Sequence, residues 1–209
     1  YPRQTGSLYH TTKIMDTDLL WFAVRTWNLK VTDLMQGPVY GIETNESTID
    51  KRLRTFFNYD EIFGTVINRF IVQAVIGHPL TIYGNGTQTR GYLNIIDTLS
   101  CIDVAEKNSP KNGNLSIYNQ IVELFSVTEL AQIVKKVGDS RGYKVKIQKI
   151  KNPRVEKEKH YYNPKFQGLK DIGLKPNYLN ENFLNNFFNI IEENKELIKK
   201  DIIFKGVHW

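Results

Sequence analysis

A chain of 209 residues with 41% apolar and 12% aromatic content has enough core-forming residues for one ordinary domain or slightly more, which excludes global disorder. Its net charge of +6 suits an anionic partner, but lysines interleaved with acids, as in "KNPRVEKEKH", make a solvated surface and not a stripe tracking nucleic-acid phosphates. The single Cys101 excludes an internal disulfide framework and suits a reducing compartment, and no apolar run nears the roughly 20 residues of a membrane span. With no signal peptide visible, the expected location is the cytoplasm, or a plastid stroma.

The first pattern is a helix over 10–28, with Met15, Leu19, Phe22 and Ala23 on one stripe and Leu20, Val24 and Trp27 beside it, ending at Asn28. "KVTDLMQG" reads as a short buried strand closed by Gly37-Pro38. A polar stretch without periodicity follows over 43–60, a length that in a compact domain marks a lid or binding segment. Helix returns over 61–77. "LTIYG" and "TRGYLNI" are strands on either side of "NGTQ", where Asn85-Gly86 predicts a hairpin turn. A helix over 96–107, a strand over 115–119 and a helix over 127–141 come next, the last begun by Ser126 with Glu129 at capping-box spacing. "YKVKIQKI" predicts a strand, "NPRVE" a polar turn and 164–172 a short helix. An amphipathic helix over 181–200 puts Phe183, Leu184, Phe187, Phe188 and Ile191 on one face. Helices alternating with strands define the α/β class. The one Gly-x-Gly, Gly84-Asn-Gly86, leads into a strand and not a helix, so it fails as a dinucleotide-phosphate turn.

Tyr9 and Lys13 stand one helical turn apart, so a hydroxyl and an ammonium share a face. A phenol needs a nearby cation before it serves as a base near neutral pH, and such a pair suits removing a proton from an alcohol whose carbon loses a hydride. A surface tyrosine lying along a lysine stem fits the same spacing. A second pair, Tyr161 and Lys165, is interrupted by Pro164. Arg90 in "GNGTQTRGY" and Arg154 in "NPRVE" lie where a guanidinium projects from a turn; together they suit a diphosphate, singly a surface salt bridge. Gln36 beside Gly37-Pro38 suits a cleft-facing amide or simple strand capping. His10, His78, His160 and His208 lack metal-ligand spacing, so no metal site is expected.

The words "YHTTK", "TDLMQGPVYG", "YDEIFGTVINRF", "GHPLTIYGNGTQTRGYLNIIDT", "YNQIVELFSVTELA" and "NPRVEKEKHYYN", in this order, resemble the extended short-chain dehydrogenase/reductase superfamily of NAD-dependent nucleotide-sugar epimerases and dehydratases. Gln36, where most members have Asn, with "FGTVINRF" and "NPRVEKEKHYYN", narrows the resemblance to a branch that joins sulfite to UDP-glucose. The resemblance implies a Rossmann-type fold, with 1–42 ending the Rossmann layer and 43–209 forming mostly a mixed α/β substrate domain with short returns to that layer. It implies Tyr9 as catalytic base and Lys13 as its partner, both also contacting NAD, with Gln36 and Val39 beside the cofactor. His10, Gln36, Thr65, Tyr83, Gln88, Arg90 and Arg154 are the implied substrate residues. Among them Thr65 meets the nucleotide, Tyr83 lines the uracil, and the two arginines hold the diphosphate.

The implied chemistry oxidises C4 of the glucose unit, removes water across C5 and C6, adds sulfite at C6 and returns the hydride. A homodimer built on the helices at 10–28 and 61–77 is implied as well. Family members carry a Gly-rich strand–turn–helix upstream of "YHTTK", and this chain opens at Tyr1 without one. It is therefore expected to be a C-terminal portion that does not turn over alone. A UDP-hexose 4-epimerase, a dehydratase without sulfite chemistry, and a non-catalytic UDP-sugar-binding module are the alternatives.

Overall fold

The computed structural model describes residues 5, 7–54, 57–60, 63–152 and 162–203. In chain order these form α1 (Leu8–Trp27), β1 (Lys30–Gln36), β2 (Val39–Tyr40), α2 (Asn45–Ile49), α3 (Val66–Val75), β3 (Leu80–Tyr83), β4 (Thr89–Asn94), α4 (Ile95–Lys107), β5 (Asn114–Gln120), β6 (Glu123–Ser126), α5 (Val127–Ser140), β7 (Ile147–Ile150), α6 (Gly168–Asp171), α7 (Glu181–Glu193) and α8 (Lys200–Ile203). This is the α/β class expected. The chain divides into two units, one of Tyr1–Gln36, Leu99–Gln120 and Pro164–Lys175, the other of Gly37–Thr98, Ile121–Asn163 and Pro176–Trp209.

In the first unit β1 and β5 run parallel, from Lys30 opposite Asn114 to Gln36 opposite Gln120. Helix α1 begins at Ser7, whose Oγ accepts the His10 N–H, and stops at Asn28, which takes the left-handed φ of 53°. Asn tolerates that conformation better than other non-glycine residues. The helix buries Thr17 and Val24, two turns apart, while Met15, Leu19 and Phe22 are exposed. The apolar stripe read from the sequence is therefore not the packed face. A polar bond sets the rotation instead: Thr17 Oγ1 donates to Asp33 Oδ2 on β1 at 2.7 Å. β1 is half-buried, not buried as expected, and ends in exposed Met35 and Gln36.

The second unit holds the main core. α3 is buried at every position from Ile67 to Val75. It packs with Leu80 and Ile82 of β3, Leu130 and Val134 of α5, and Leu184, Phe187 and Phe188 of α7. Each such side chain contributes about 1.5–3 kcal/mol by leaving water. Between Ile67 and Val75 the helix exposes no face, whereas Phe63 ahead of it is 74% exposed. The helix starts at Val66, because Asp60 claims the preceding turn: its Oδ1 accepts the Phe63 N–H at 2.8 Å and its carbonyl the Gly64 N–H at 3.2 Å.

β4 lies between β2, which is parallel to it, and β6, which is antiparallel. β3 pairs instead with β7, in parallel. β3 and β4 thus flank a turn but form no hairpin, contrary to the sequence expectation. Gly84 and Gly86 do take the positive φ values that the turn needs, 61° and 74°. The Gly86 carbonyl, however, accepts both the N–H and the hydroxyl of Thr128 at 3.0 Å, which ties the turn to α5. Strands β2 and β6 were not foreseen.

α5 opens with the expected capping box, Ser126 Oγ accepting from Glu129 N and Glu129 Oε2 from Ser126 N. α7 ends at Glu193 and not near 200; Asn194 follows it, its Nδ2 donating to the Ile190 carbonyl at 2.7 Å. The polar stretch over 43–60 carries α2, itself begun by a capping box between Thr44 and Ser47, and a single 3-10 turn at Lys51–Leu53. Glu43 anchors it, accepting from Arg54 at 3.0 Å and from Asn186 of α7 at 2.9 Å.

Candidate functional site

Four of the residues singled out lie in the first unit. Tyr9, His10 and Lys13 occupy the opening turns of α1, where unsatisfied N–H groups give a positive field. Tyr9 is 66% exposed, and its ring meets the His10 ring edge-on with centroids 5.5 Å apart. The Lys13 ammonium lies 5.8 Å from the Tyr9 ring centre and donates to Asp16 Oδ2 at 2.8 Å. The hydrogen bond to Asp16, and then the charge of that carboxylate, raises Lys13 above the ordinary ammonium range, so it remains cationic. His10 Nδ1 is 2.9 Å from the Ser7 hydroxyl. Gln36 closes β1 beside Gln120, at the carboxyl end of a parallel strand pair. Ligands of open α/β sheets bind at that end.

The second unit gathers another group around α3, β3 and β4. Thr65 caps α3 through its backbone, its carbonyl accepting the Arg69 N–H at 3.0 Å, but its side chain makes no capping bond. Gln88 Nε2 reaches the Tyr83 carbonyl at 3.4 Å. Among the described residues, Thr65 Oγ1 and Gln88 Oε1 are buried without a hydrogen-bond partner. Such groups are costly unless something else satisfies them, and both belong to residues that the resemblance assigns to substrate. Arg90 donates from Nη1 to the Thr89 carbonyl at 2.9 Å and lies 5.9 Å from the Tyr162 ring centre. The Tyr162 hydroxyl in turn accepts the Gly91 N–H at 3.1 Å. Arg154 lies outside the described residues. Val39, on β2 opposite Leu93, is half-buried.

One residue of this group escaped the sequence reading. Arg69 is 6% exposed, yet carries a charge in the middle of α3. Its guanidinium carbon is 4.9 Å from the Tyr83 ring centre and 5.8 Å from that of Phe70, and Nη2 donates to the Thr81 carbonyl at 3.4 Å. The available signal was a lone arginine inside the apolar run "TVINRFIVQAV", since a charge there needs partners. Burial pushes the neighbouring Tyr92 phenol up to about 12, with Arg90 and Arg69 pulling it the other way. The two guanidinium groups therefore act on one buried ring.

For a dinucleotide cofactor the fit is partial. An exposed phenol with an ammonium one turn along suits its nicotinamide-ribose end. The Gly-x-Gly of the chain, Gly84-Asn85-Gly86, joins β3 to β4 and not a strand to a helix, so it is not the pyrophosphate cradle of such a cofactor. Three or more His, Cys, Asp or Glu side chains able to hold a metal do not cluster among the described residues, and no helix of theirs is long and apolar enough to cross a membrane.

No family model matches the chain. It is 43% identical over all 209 residues to the chloroplastic UDP-sulfoquinovose synthase of Spinacia oleracea. To the UDP-sulfoquinovose synthase of Sulfolobus acidocaldarius it is 46% identical over 175 residues, 84% of the chain. It spans 43% and 44% of the length of those two relatives. Among solved structures, UDP-glucuronic acid 4-epimerase from Bacillus cereus, in complex with UDP-glucuronic acid and NAD, superposes with a TM-score of 0.65 at 19% identity, over 93% of this chain and 59% of that one. The fold is thus that of the NAD-dependent epimerase/dehydratase superfamily, of which the chain presents part. Within that superfamily the chain is a homologue of the UDP-sulfoquinovose synthases.

Proposed function

We propose that the protein bearing this chain converts UDP-glucose and sulfite to UDP-sulfoquinovose with NAD as cofactor. The observation that carries the reading is 43% identity, over every residue, to a synthase named for that product, in a chain whose Tyr9 and Lys13 share an exposed helix face. The buried, unsatisfied Thr65 and Gln88 side-chain oxygens give it independent support.

The roles follow from chemistry. Arg90 and Arg154 hold the diphosphate by charge-assisted hydrogen bonds, Thr65 and Gln88 bind the nucleotide, and Tyr83 lines the uracil. Tyr9 takes the proton of the C4 hydroxyl and later gives it back, Lys13 stabilises the phenolate, and His10 and Gln36 touch the sugar. Tyr9, Lys13, Gln36 and Val39 would hold the nicotinamide end of NAD, which when bound supplies the acceptor and donor of the C4 hydride. A ketone at C4 acidifies the C5 proton, so water leaves across C5 and C6. The sulfur of sulfite then bonds to C6, and C5 is reprotonated. A homodimer through the exposed Met15, Leu19 and Phe22 of α1, and a reducing compartment, whether cytoplasm or plastid stroma, belong to the same reading.

The test incubates the complete protein with UDP-glucose, NAD and sulfite and follows the sugar nucleotide by mass spectrometry. A product that has gained a sulfonate is expected. A C4 epimer or a 4-keto-6-deoxy sugar without sulfonate would replace this reading by an epimerase or a dehydratase, and binding of UDP-glucose without any product by a non-catalytic module.

A further inference from the structure

Of the three buried polar side chains of α3, Asn68, Arg69 and Gln73, the last two stand one turn apart and are both aimed at β3. Gln73 ties α3 to the strand: its Nε2 donates to Thr81 Oγ1 at 2.8 Å and its Oε1 accepts the Thr81 N–H at 3.1 Å. Arg69 reaches the same residue's carbonyl by a long 3.4 Å bond, weak by the usual distance criteria. Of the two rings beside it Tyr83 is the nearer, its centre 4.9 Å from the guanidinium carbon against 5.8 Å for Phe70, inside the reach of a cation–π contact. The buried guanidinium thus bears on the Tyr83 ring as well as on the strand that carries it. Tyr83 is only half-buried, so the ring is supported on one side by Arg69 while part of its surface stays accessible.

We infer that Arg69 is a positioning residue of the nucleotide site, its buried guanidinium fixing the Tyr83 ring as the wall against which the base of a uridine diphosphate lies. The inference rests on the UDP-sugar reading and deepens it. A ring held from behind loses little freedom when a base arrives, so the preorganisation appears as affinity for the nucleotide and not as rate. The cation–π partner also leaves a positive charge close to Arg90, both acting on Tyr92, which favours the diphosphate.

The experiment titrates UDP into the complete protein and into its Arg69→Met and Arg69→Lys variants, each alone and in a Tyr83→Leu background, with thermal and urea unfolding as checks of folding. Arg69→Met is expected to weaken UDP binding about tenfold, the scale of a desolvated cation–π contact. It should raise KM for UDP-glucose in parallel while kcat stays within about twofold. Arg69→Lys should recover part of the loss, and in the Tyr83→Leu background the loss should vanish. A folded Arg69→Met protein that binds UDP like the parent overturns the inference and leaves the UDP-sugar reading intact. So does a loss of the same size without Tyr83. If Arg69→Met does not fold, Arg69→Lys decides by the same cycle: a loss of about threefold confined to the Tyr83 background supports the inference, and no loss overturns it. A parent protein that does not bind UDP ends both readings together.

Discussion

Gln73 grips Thr81 at two points, its amide nitrogen bonding the threonine hydroxyl and its amide oxygen the threonine N–H, at 2.8 and 3.1 Å. This pair sets the register of β3 against α3, and Tyr83 follows two residues along the same strand, on the same face as Thr81. Gln73 is 1% exposed, so no water replaces it readily. Gln73→Leu keeps the volume but leaves the Thr81 N–H and hydroxyl unsatisfied, at a cost of about 2–3 kcal/mol. Urea unfolding of the complete protein should show the midpoint fall at unchanged m, and UDP affinity should fall with it. An unchanged midpoint would mean that the register of β3 is held from elsewhere.

A second pair links α5 to α7. The Arg141 guanidinium donates from Nη2 to both Glu192 oxygens at 2.8 Å, and the Tyr143 hydroxyl donates to Glu192 Oε1 at 2.6 Å. Burial pushes the Glu192 carboxyl up, but the hydrogen bonds from Tyr143 and Arg141, with the Arg141 charge, outweigh it and hold the group below its usual range. A carboxyl lowered on folding stabilises the protein above its unfolded pKa, and the contribution disappears as pH falls through the lower, folded value. Partial exposure screens it. Glu192→Gln should therefore cost about 1 kcal/mol at pH 7 and progressively less as pH falls through the folded value, below which parent and variant are both uncharged there. Urea midpoints across that range measure it; a penalty independent of pH would assign the pair's effect to packing.

The part of the fold that sequence revealed is the part fixed locally. α5 was legible to its first residue because Ser126 and Glu129 satisfy each other's backbone N–H groups. The end of α1 was legible within a residue because Asn28 accepts a left-handed turn. What failed was decided by distant partners. Asn85-Gly86 has the chemistry of a hairpin, yet Thr128, far along the chain, takes the Gly86 carbonyl. Met15, Leu19 and Phe22 form a periodic stripe, but Asp33 holds Thr17 and turns the opposite side inward. β2 and β6, of 2 and 4 residues, are too short to show alternation. In the site, spacing alone left Tyr9 and Lys13 ambiguous, and Arg69 was visible only as a charge out of place.

The turn between β3 and β4 offers a test of how tightly the second group is built. Gly86 has φ of 74°, and a Cβ there would come within 2.5 Å of Ile82 Cγ2 and Thr128 Oγ1. Gly86→Ala combines backbone strain with a clash against the core and the start of α5, costing about 2–3 kcal/mol. Because Gln88 and Arg90 leave this turn, UDP affinity should fall by more than it does for a variant of the exposed neighbour Thr87. Equal effects at the two positions would show that the turn's shape does not matter to the site.

Tyr9 stands furthest from any structural duty. Its ring is exposed, so Tyr9→Phe removes a hydroxyl without opening a cavity, and stability should change by less than about 0.5 kcal/mol. If that hydroxyl is the group that receives the C4 proton, its loss should lower kcat of the complete protein by about 10²–10⁴-fold. Affinity for UDP-glucose, supplied by the groups around β3 and β4, should stay within about twofold. Lys13→Met should lower kcat as well and also weaken NAD binding, since the ammonium would serve both the phenolate and the nicotinamide ribose. The Asp16 carboxylate that now holds Lys13 is exposed, so Asp16→Asn should leave turnover within about threefold. Steady-state kinetics with isothermal titration of UDP-glucose separate these outcomes. Turnover by Tyr9→Phe within tenfold of the parent would move the base to another residue, whatever the fate of the nucleotide site.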